Sequence, residues 1–357
     1  MTKRIVSLLL VFVFVISFAA CSKVRTEMEE PTSAPTTEAK EVGTKNPLTG
    51  ESDFNQDYVG KRPIAVTIQN NVICRPQWGL GSADITIEAE VEGTETKYLW
   101  VYSDPHKLTK GGPFRSVRVD FVEMAMGFDA ILVHCGWSYG VPYGAKELLT
   151  KTGYDHINGG DYRDNDENGI MFRSSTSPNG KQKGREYRSY TKGDSIAKVL
   201  ATSKSKMRQD IKQEYAHPFS FYDEKTALPG GACNKISFKV GKHSYHFDYS
   251  DGLYYGNYGD KALKDYDGNK FAVENVIILY INSVKVMDKK GRVDMDLSGG
   301  TGVIASNGTY QNIKWTKGGA KEMFKFTDEN GNELKLNVGK TYIGLARNSN
   351  AGKTVIA

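Results

Sequence analysis

The sequence predicts a mixed α/β fold in the first folded region of this 357-residue chain and a mostly antiparallel β fold in the second. In the first region, short runs rich in β-branched residues alternate with stretches of helical periodicity. These runs cover 63–69, 84–91, 98–102 and 130–134. Beyond Pro229-Gly230-Gly231 nearly every stretch is typical of strand and turn, with hairpin signals at Asn307-Gly308 and Asn330-Gly331. We therefore expect a sandwich or barrel of antiparallel strands there.

Three helices are predicted in the first region. The first has apolar residues on one face at 3.6-residue spacing: Val117, Phe121, Met124, Ala125 and Phe128. The second runs from Tyr143 to Lys151. The third is long and basic, and runs from Asp194 to about Gln213.

The N-terminus has the pattern of an export signal followed by a lipidation site. Lys3 and Arg4 precede an apolar run of about 16 residues, which ends in two alanines before Cys21. Such a run is too short to cross ~30 Å of hydrocarbon comfortably, and small residues before a cysteine fit a cleaved signal peptide at 1–20 and lipid on Cys21. Phe18 stands where leucine is commonest in such signals, and an ordinary secretory signal with a coincidental cysteine is the alternative.

Residues 21–56 are rich in Thr, Glu, Pro and Ser, so we expect a flexible tether there. A lipid and a tether predict a body held at the outer face of the cytoplasmic membrane. The rest of the chain is long enough for two domains, which we place at 57–225 and 230–357.

The net charge and the cysteines argue against nucleic-acid binding, a disulfide framework and a metal site. The net charge is +5, and loss of residues 1–20 removes Lys3 and Arg4 but no acid, leaving +3. That value is too small to indicate nucleic acid, and the basic stretch from Lys192 to Lys212 is more typical of a solvated helix face. Cys74, Cys135 and Cys233 form neither a disulfide framework nor a metal signature, so we expect buried thiols, no metal and no cofactor.

A series of short motifs resembles the YerB-like lipoproteins. The run NPLTG, RPIAVTIQN, RPQWGL, ADITIEAEVEG, GGPFRSVR, ILVHCG and YRD is similar to their N-terminal domain, and NVIILYINSVKVMDKKGRVDMDLSGG through YIGLA is similar to their C-terminal domain. The resemblance covers Asn46 to Ala346. It implies a Gram-positive lipoprotein whose N-terminal α/β domain packs sheet on sheet and helix, followed by a smaller β domain, and it implies no activity.

Two positions depart from the family pattern. Lys97 stands after Thr96 where family members usually carry arginine, which keeps the charge but loses the planar guanidinium. Family members also tend to carry an Ala-Pro-His-Asn segment after the Tyr-Arg-Asp run. Residues 173–191 contain no histidine, so this segment lacks the side chain on which such a site would depend.

A glycine turn before the first predicted helix is the main candidate binding site. It places Arg115, Ser116 and Arg118 in the expected first turn, beside free backbone N–H groups that would bind a carboxylate or phosphate. The alternative is an internal salt bridge from these arginines to Glu88, Glu90 or Glu92. Three further side chains complete the predicted ligand-binding set: Arg75, Gln77 and Arg163.

A second candidate site rests on four acidic residues that all occupy even-numbered positions in one predicted strand and directly after it. Asp84, Glu88, Glu90 and Glu92 would share one face of an extended strand, where repulsion would raise a pKa and furnish a general acid such as Glu88 or Glu92. The same acids would also suit a metal, or merely a solvated strand face.

Two side chains near these acids offer other interactions. His134 would serve as acid or base with Ser138 or a glutamate, or would be a structural histidine bonded to backbone. Trp78 offers a stacking surface for a sugar or peptide.

Two functions from different classes follow. The first is a cell-envelope binding or scaffold protein that uses the arginine turn for an anionic ligand, with a wall component or envelope protein as partner. The second is a hydrolase of wall glycan or peptide with a glutamate general acid.

Overall fold

The computed structural model describes residues 45–52, 54–140, 144–161, 169–180, 184–202 and 206–357. Its helices are α1 (Val119–Gly127), α2 (Ala145–Thr152) and α3 (Gly193–Ala201). The strands of the first region are β1 (Ile64–Gln69), β2 (Ile85–Glu90), β3 (Thr96–Tyr102), β4 (Ile131–His134), β5 (His156–Asn158), β6 (Phe172–Arg173), β7 (Ser189–Tyr190) and β8 (Ser220–Phe221). The second region contributes β9 (Lys235–Val240), β10 (His243–Ser250), β11 (Leu253–Tyr258), β12 (Lys261–Ala262), β13 (Ala272–Val273), β14 (Asn275–Ile281), β15 (Val284–Val286), β16 (Val293–Met295), β17 (Gly299–Ser306), β18 (Thr309–Thr316), β19 (Lys325–Thr327), β20 (Lys335–Leu336), β21 (Thr341–Arg347) and β22 (Val355–Ile356).

One ten-stranded sheet runs through both sequence regions, in the order β19-β18-β17-β14-β21-β2-β3-β1-β4-β5. Strand β21 joins the two halves, because it pairs in parallel with β2 on one side and with β14 on the other. Ile343 stands opposite both Ile87 and Ile277. The predicted regions 57–225 and 230–357 therefore contribute to a single sheet.

A smaller sheet, ordered β12-β11-β10-β9-β22 with β13 also paired to β11, covers one face of the large sheet. Its Phe238 and Phe247 share a core cluster with Trp100 and Tyr342 of the large sheet. On the opposite face, Phe121 of α1 and other helix residues pack on the large sheet's alternate residues. This sheet-sheet-helix layering confirms the expected fold class.

The end of the predicted tether belongs to this folded body. Leu48 and Phe54 are buried, and Asn46 Nδ2 donates to Asp84 Oδ1 at 3.2 Å. The tether was therefore predicted too long, because these buried residues and the Asn46 hydrogen bond hold its last residues on the folded body. The predicted signal peptide, Cys21 and the rest of the tether lie outside the described residues.

The first predicted helix is confirmed, with Phe121, Met124 and Ala125 buried in α1. The third was predicted too long, because it ends at Ala201 and Thr202 is extended at φ −75° and ψ 142°. Further along, Lys212 N donates to Asp129 Oδ2 at 3.1 Å, which fixes the chain on the body outside any helix. The continuous basic helix up to Lys212 is thus not formed.

The Asn307-Gly308 hairpin is confirmed between β17 and β18. Both residues have positive φ, 48° and 69°, and Ser306 pairs with Thr309 across the turn. A Cβ on Gly308 would lie 2.6 Å from Tyr249 Cε1, so the position also needs glycine for space.

Candidate functional site

A pocket lies where two parallel strands end beside the glycine turn. Strand β4 continues into Cys135 and Gly136, and β5 ends at Asn158. The turn segment is bound to this edge, because Cys135 N donates to Arg115 O at 3.0 Å and Ser116 Oγ donates to Cys135 O at 3.2 Å. The carboxyl ends of β4 and β5 and the turn therefore form one wall.

The opposite wall comes from the β6–β7 pair and the 3-10 turn before β7. Arg173, in β6, donates from Nη1 to the carbonyl of Arg185 at 2.9 Å, which ties the Arg173 side chain to the backbone of the 3-10 turn. The volume of the pocket is about 650 Å³. We call this the arginine pocket, lined by Phe114, Arg115, Ser116, Cys135, Gly136, Asn158, Gly160, Met171, Arg173, Arg185, Glu186 and Ser189.

Among its described lining residues, the arginine pocket has an excess of positive charge, with the guanidinium groups of Arg115, Arg173 and Arg185 against the carboxylate of Glu186. Within the part of the chain that the structure describes, no carboxylate forms an ion pair with Arg115, Arg173 or Arg185. Arg115 Nε is buried without a hydrogen-bond partner, and its guanidinium carbon lies 5.9 Å from the centre of the Tyr187 ring. An unpartnered buried donor is unfavourable by about 1–3 kcal/mol, which an anion would offset.

The two arginines of the turn have different environments. Arg115 precedes the helix rather than lying in its first turn, because its N–H donates to Thr67 O at 3.1 Å beside a bridge to β1. Arg118 is the residue before α1, pairs through Nε with Glu92 and donates from Nη1 to Val117 O. The internal salt bridge therefore forms at Arg118, and the open pocket forms at Arg115.

The acids of β2 share one face as predicted, but that face is buried rather than solvated. Glu88 is fully buried and accepts hydrogen bonds from Asn70, Thr96, Tyr245 and Tyr342 at 2.6–2.9 Å. Desolvation raises the pKa of Glu88, while the hydrogen bonds and Arg75 oppose that shift. The interpretation as a solvated face was wrong, because the small sheet covers these residues.

The other acids of this face are paired as well. Glu90 binds the Arg347 guanidinium through both oxygens at 2.8 and 2.6 Å, and Asp84 accepts from Lys107 Nζ at 2.8 Å. Glu92 is partly exposed and pairs with Arg118. The described residues hold no group of three metal-binding side chains. General-acid roles for Glu88 and Glu92 stay predictions, and their contacts favour structural roles.

Arg75 and Gln77 lie in the same interior network rather than in the pocket. Both donate to Asn70 Oδ1, at 3.0 and 2.9 Å, and the Arg75 guanidinium lies 4.3 Å from the centre of the Tyr258 ring. Trp78 is only 3% exposed, so its ring presents no free stacking surface. Lys110 Nζ lies 4.2 Å from the centre of that ring.

His134 has the environment of a structural histidine. It is fully buried, with Nδ1 2.7 Å from Gly136 O and Nε2 3.0 Å from His156 Nδ1. Burial, with a smaller contribution from His156, lowers its pKa to about 3, so the ring is neutral near pH 7. Ser138 Oγ accepts the Ala145 N–H at the start of α2 and forms no pair with His134. Arg163 lies outside the described residues.

Of the lining residues, only Arg115 and Ser116 were predicted from the sequence, and the polar residues that it missed include Asn158, Arg173 and Arg185. Asn158 Oδ1 accepts the Gly136 N–H at 2.9 Å, which ties the ends of β4 and β5 together. The available signal was the cluster of arginines in 173–188, a segment that drew attention only for its missing histidine.

The fold and the motifs define the class, since the chain belongs to a family of two-domain proteins of unknown function. Residues 48–208 match the model described as "Protein of unknown function (DUF3048) N-terminal domain" and residues 234–343 match its C-terminal counterpart. The chain is 30% identical to "Putative lipoprotein YerB" of Bacillus subtilis (strain 168) over 309 residues, 84% of this chain and 86% of that protein. The crystal structure of YerB protein from Bacillus subtilis is similar at a TM-score of 0.71 and 27% identity, and the match covers 88% of this chain and 99% of that one.

These similarities confirm the predicted family, and the Bacillus subtilis relative is named as a putative lipoprotein. No helix among the described residues has the length and apolar character needed to span a bilayer.

Proposed function

We propose that this protein is an extracytoplasmic lipoprotein, anchored through Cys21 at the outer face of the cytoplasmic membrane, that binds an anionic component of the cell envelope in the arginine pocket. The observation that carries the binding proposal is the cluster of three guanidinium groups around a 650 Å³ cavity with a buried, unpartnered Arg115 Nε. Anchoring is supported by the N-terminal pattern and by the likeness to a protein named as a lipoprotein.

The ligand chemistry follows from the donors on the pocket walls. Guanidinium groups bind phosphate and carboxylate oxygens through paired N–H donors, and Ser116 and Asn158 add neutral polar groups. Phe114 and Met171 add apolar surface, which would pack against the carbon skeleton of a ligand. A phosphorylated or carboxylated polyol combines these features.

The proposal is tested by isothermal titration of the protein with glycerol 3-phosphate and citrate, with glycerol as the neutral control. We expect both anions to bind and glycerol not to bind. Arg115→Gln removes a charge-assisted hydrogen bond worth about 1.5–3 kcal/mol, so affinity should fall by about 10- to 100-fold.

Arg118→Gln is the matched control, because it removes the same charge from the same turn while leaving every lining residue of the pocket intact. Its affinity should stay within about twofold of the wild type, since its charge is already paired with Glu92. Equal losses in both variants would show a general charge effect and would contradict the pocket. Failure of both anions to bind the wild type would reject the proposal outright.

A further inference from the structure

A second, smaller pocket lies on the helix-bearing side of β4 and β5. Its walls come from the loop after β4, from α2 and the turn that follows it, and from the start of β5, and its volume is 300 Å³. We call it the tryptophan pocket, lined by Trp137, Lys146, Leu149, Thr150, Gly153, Tyr154 and His156. It shares no lining residue with the arginine pocket.

The hydrogen-bond chain behind this pocket fixes the proton positions on two histidines. Nδ1 of His134 faces the Gly136 carbonyl at 2.7 Å, and a carbonyl only accepts, so the His134 proton sits on Nδ1. Nε2 of His134 is then an acceptor. The atom 3.0 Å away, Nδ1 of His156, must therefore be the donor. The carbonyl of Gly136 thus determines the tautomer of both rings.

The consequence for His156 is an acceptor on the side of its ring that faces away from His134. With its proton on Nδ1, neutral His156 carries a lone pair on Nε2, at the edge of the ring that points away from His134. No polar atom of the described residues is hydrogen-bonded to that Nε2. Burial lowers the pKa of His156 below the ordinary 6.5 and outweighs Asp161 and Asp155, which favour the charged form. His156 therefore presents an acceptor, not a donor, at neutral pH.

The remaining walls combine an aromatic ring with polar groups. The Trp137 indole stands edge-on to the His156 ring at 5.8 Å between centroids, and Leu149 adds apolar surface beside it. The exposed Lys146 places its ammonium 5.6 Å from the centre of the Trp137 ring, and Thr150 adds a hydroxyl at the rim. An aromatic face, one fixed acceptor and polar donors match a ligand with an apolar face and hydroxyls at its edge.

We propose that the tryptophan pocket binds a saccharide ring, whose C–H face packs on Trp137 and one of whose hydroxyls donates to His156 Nε2. The cavity of 300 Å³ is at the small end of ligand sites and suits a single ring. Lys146 lies where it binds a carboxylate substituent on that ring. This site is independent of the arginine pocket and of the anion proposed for it.

The test is calorimetric titration of the full chain in detergent with N-acetylglucosamine and glucuronic acid. Every protein is also measured with Arg115→Gln added, because the arginine pocket would itself bind the carboxylate of glucuronic acid. Cyclohexanol, a ring of similar size with one hydroxyl, is the third probe. We expect both sugars to bind, glucuronic acid more tightly, and cyclohexanol at least about tenfold more weakly. His156→Phe keeps an aromatic ring but removes the acceptor, so it should weaken both sugars at least about tenfold. Lys146→Gln should remove only the advantage of glucuronic acid.

Lys151→Gln, on the same helix but outside the pocket, is the matched control and should leave both affinities unchanged. Binding of glycerol 3-phosphate to His156→Phe reports separately on the arginine pocket, and a circular dichroism melt shows that the variant is folded. A second measurement uses histidine ring ¹⁵N shifts, which should show His156 protonated at Nδ1. No sugar binding to the wild type, equal binding of cyclohexanol, or an Nε2-protonated His156 would each overturn the proposal.

Discussion

Asp120, in α1, is a buried carboxyl group whose replacement by asparagine should stabilise the protein. It is 1% exposed, accepts the Met295 N–H through Oδ1 at 3.0 Å, and has no partner for Oδ2 among the described residues. Burial raises its pKa from 3.8 to about 8, and the charges of Asp294 and Glu123 add to that shift. The folded protein therefore keeps Asp120 protonated at pH values where the unfolded chain has released the proton.

The magnitude follows from proton linkage. Because the pKa of Asp120 is raised in the folded protein, the contribution of this group to the free energy of unfolding is fully present below about pH 4. It is lost as the pH rises toward 8, by about 1.4 kcal/mol per pH unit. At pH 7 the accumulated loss is about 4 kcal/mol. An asparagine side chain at this position would take up no proton and has nearly the same shape as the protonated acid. Asp120→Asn should therefore raise the free energy of unfolding by up to about 4 kcal/mol at pH 7 and change it little at pH 4.

The assay is urea unfolding of wild type and Asp120→Asn at pH 4, 5.5, 7 and 8, with Asp57→Asn as a control that removes one exposed charge. The wild-type and Asp120→Asn curves should converge at pH 4 and separate steadily above it. Parallel pH dependences in the two proteins would refute the assignment of a protonated Asp120.

Three further predictions concern other parts of the molecule. Because the pKa of His134 is lowered to about 3 in the folded protein, its contribution to folding stability is fully present above pH 6.5 and is lost as the pH falls. The difference in urea unfolding free energy between wild type and His134→Gln should therefore shrink by about 2 kcal/mol from pH 7 to pH 5. An unchanged difference would contradict a neutral His134. The partly exposed Arg118–Glu92 pair should show a coupling of about 1 kcal/mol in a double-mutant cycle, reduced in 1 M salt, and zero coupling would contradict it. Cys21→Ala should release the protein from membranes and abolish palmitate labelling, and retention on membranes would argue against the lipid anchor.

Strand β2, the Asn307-Gly308 turn and helix α1 were predictable because each is encoded by the residues of its own short segment. The alternation of β2 placed Glu88 and Glu90 on one face and Ile85 and Ile87 on the other, and the structure has that arrangement. The Asn307-Gly308 turn followed from its need for positive φ. Helix α1 followed from its apolar spacing.

What the sequence did not reveal depends on contacts between distant residues. Glu88 is buried because Tyr245 and Tyr342 lie over it, and these are 157 and 254 residues further along the chain. Arg173 and Arg185 enter the pocket because β6 pairs with β7 and returns the chain beside Arg115. No periodicity of single segments encodes such pairings, so the second wall of the candidate site emerged only in the fold.

Anomalous diffraction from crystals soaked in tungstate tests most directly whether the arginine pocket is an anion site. We predict a tungsten peak inside the pocket, with oxygens within hydrogen-bond distance of Arg115 and of Arg173 or Arg185. The peak should be absent from crystals of Arg115→Gln and present in those of Arg118→Gln. An empty arginine pocket in crystals that take up tungstate elsewhere would contradict an anion-binding role.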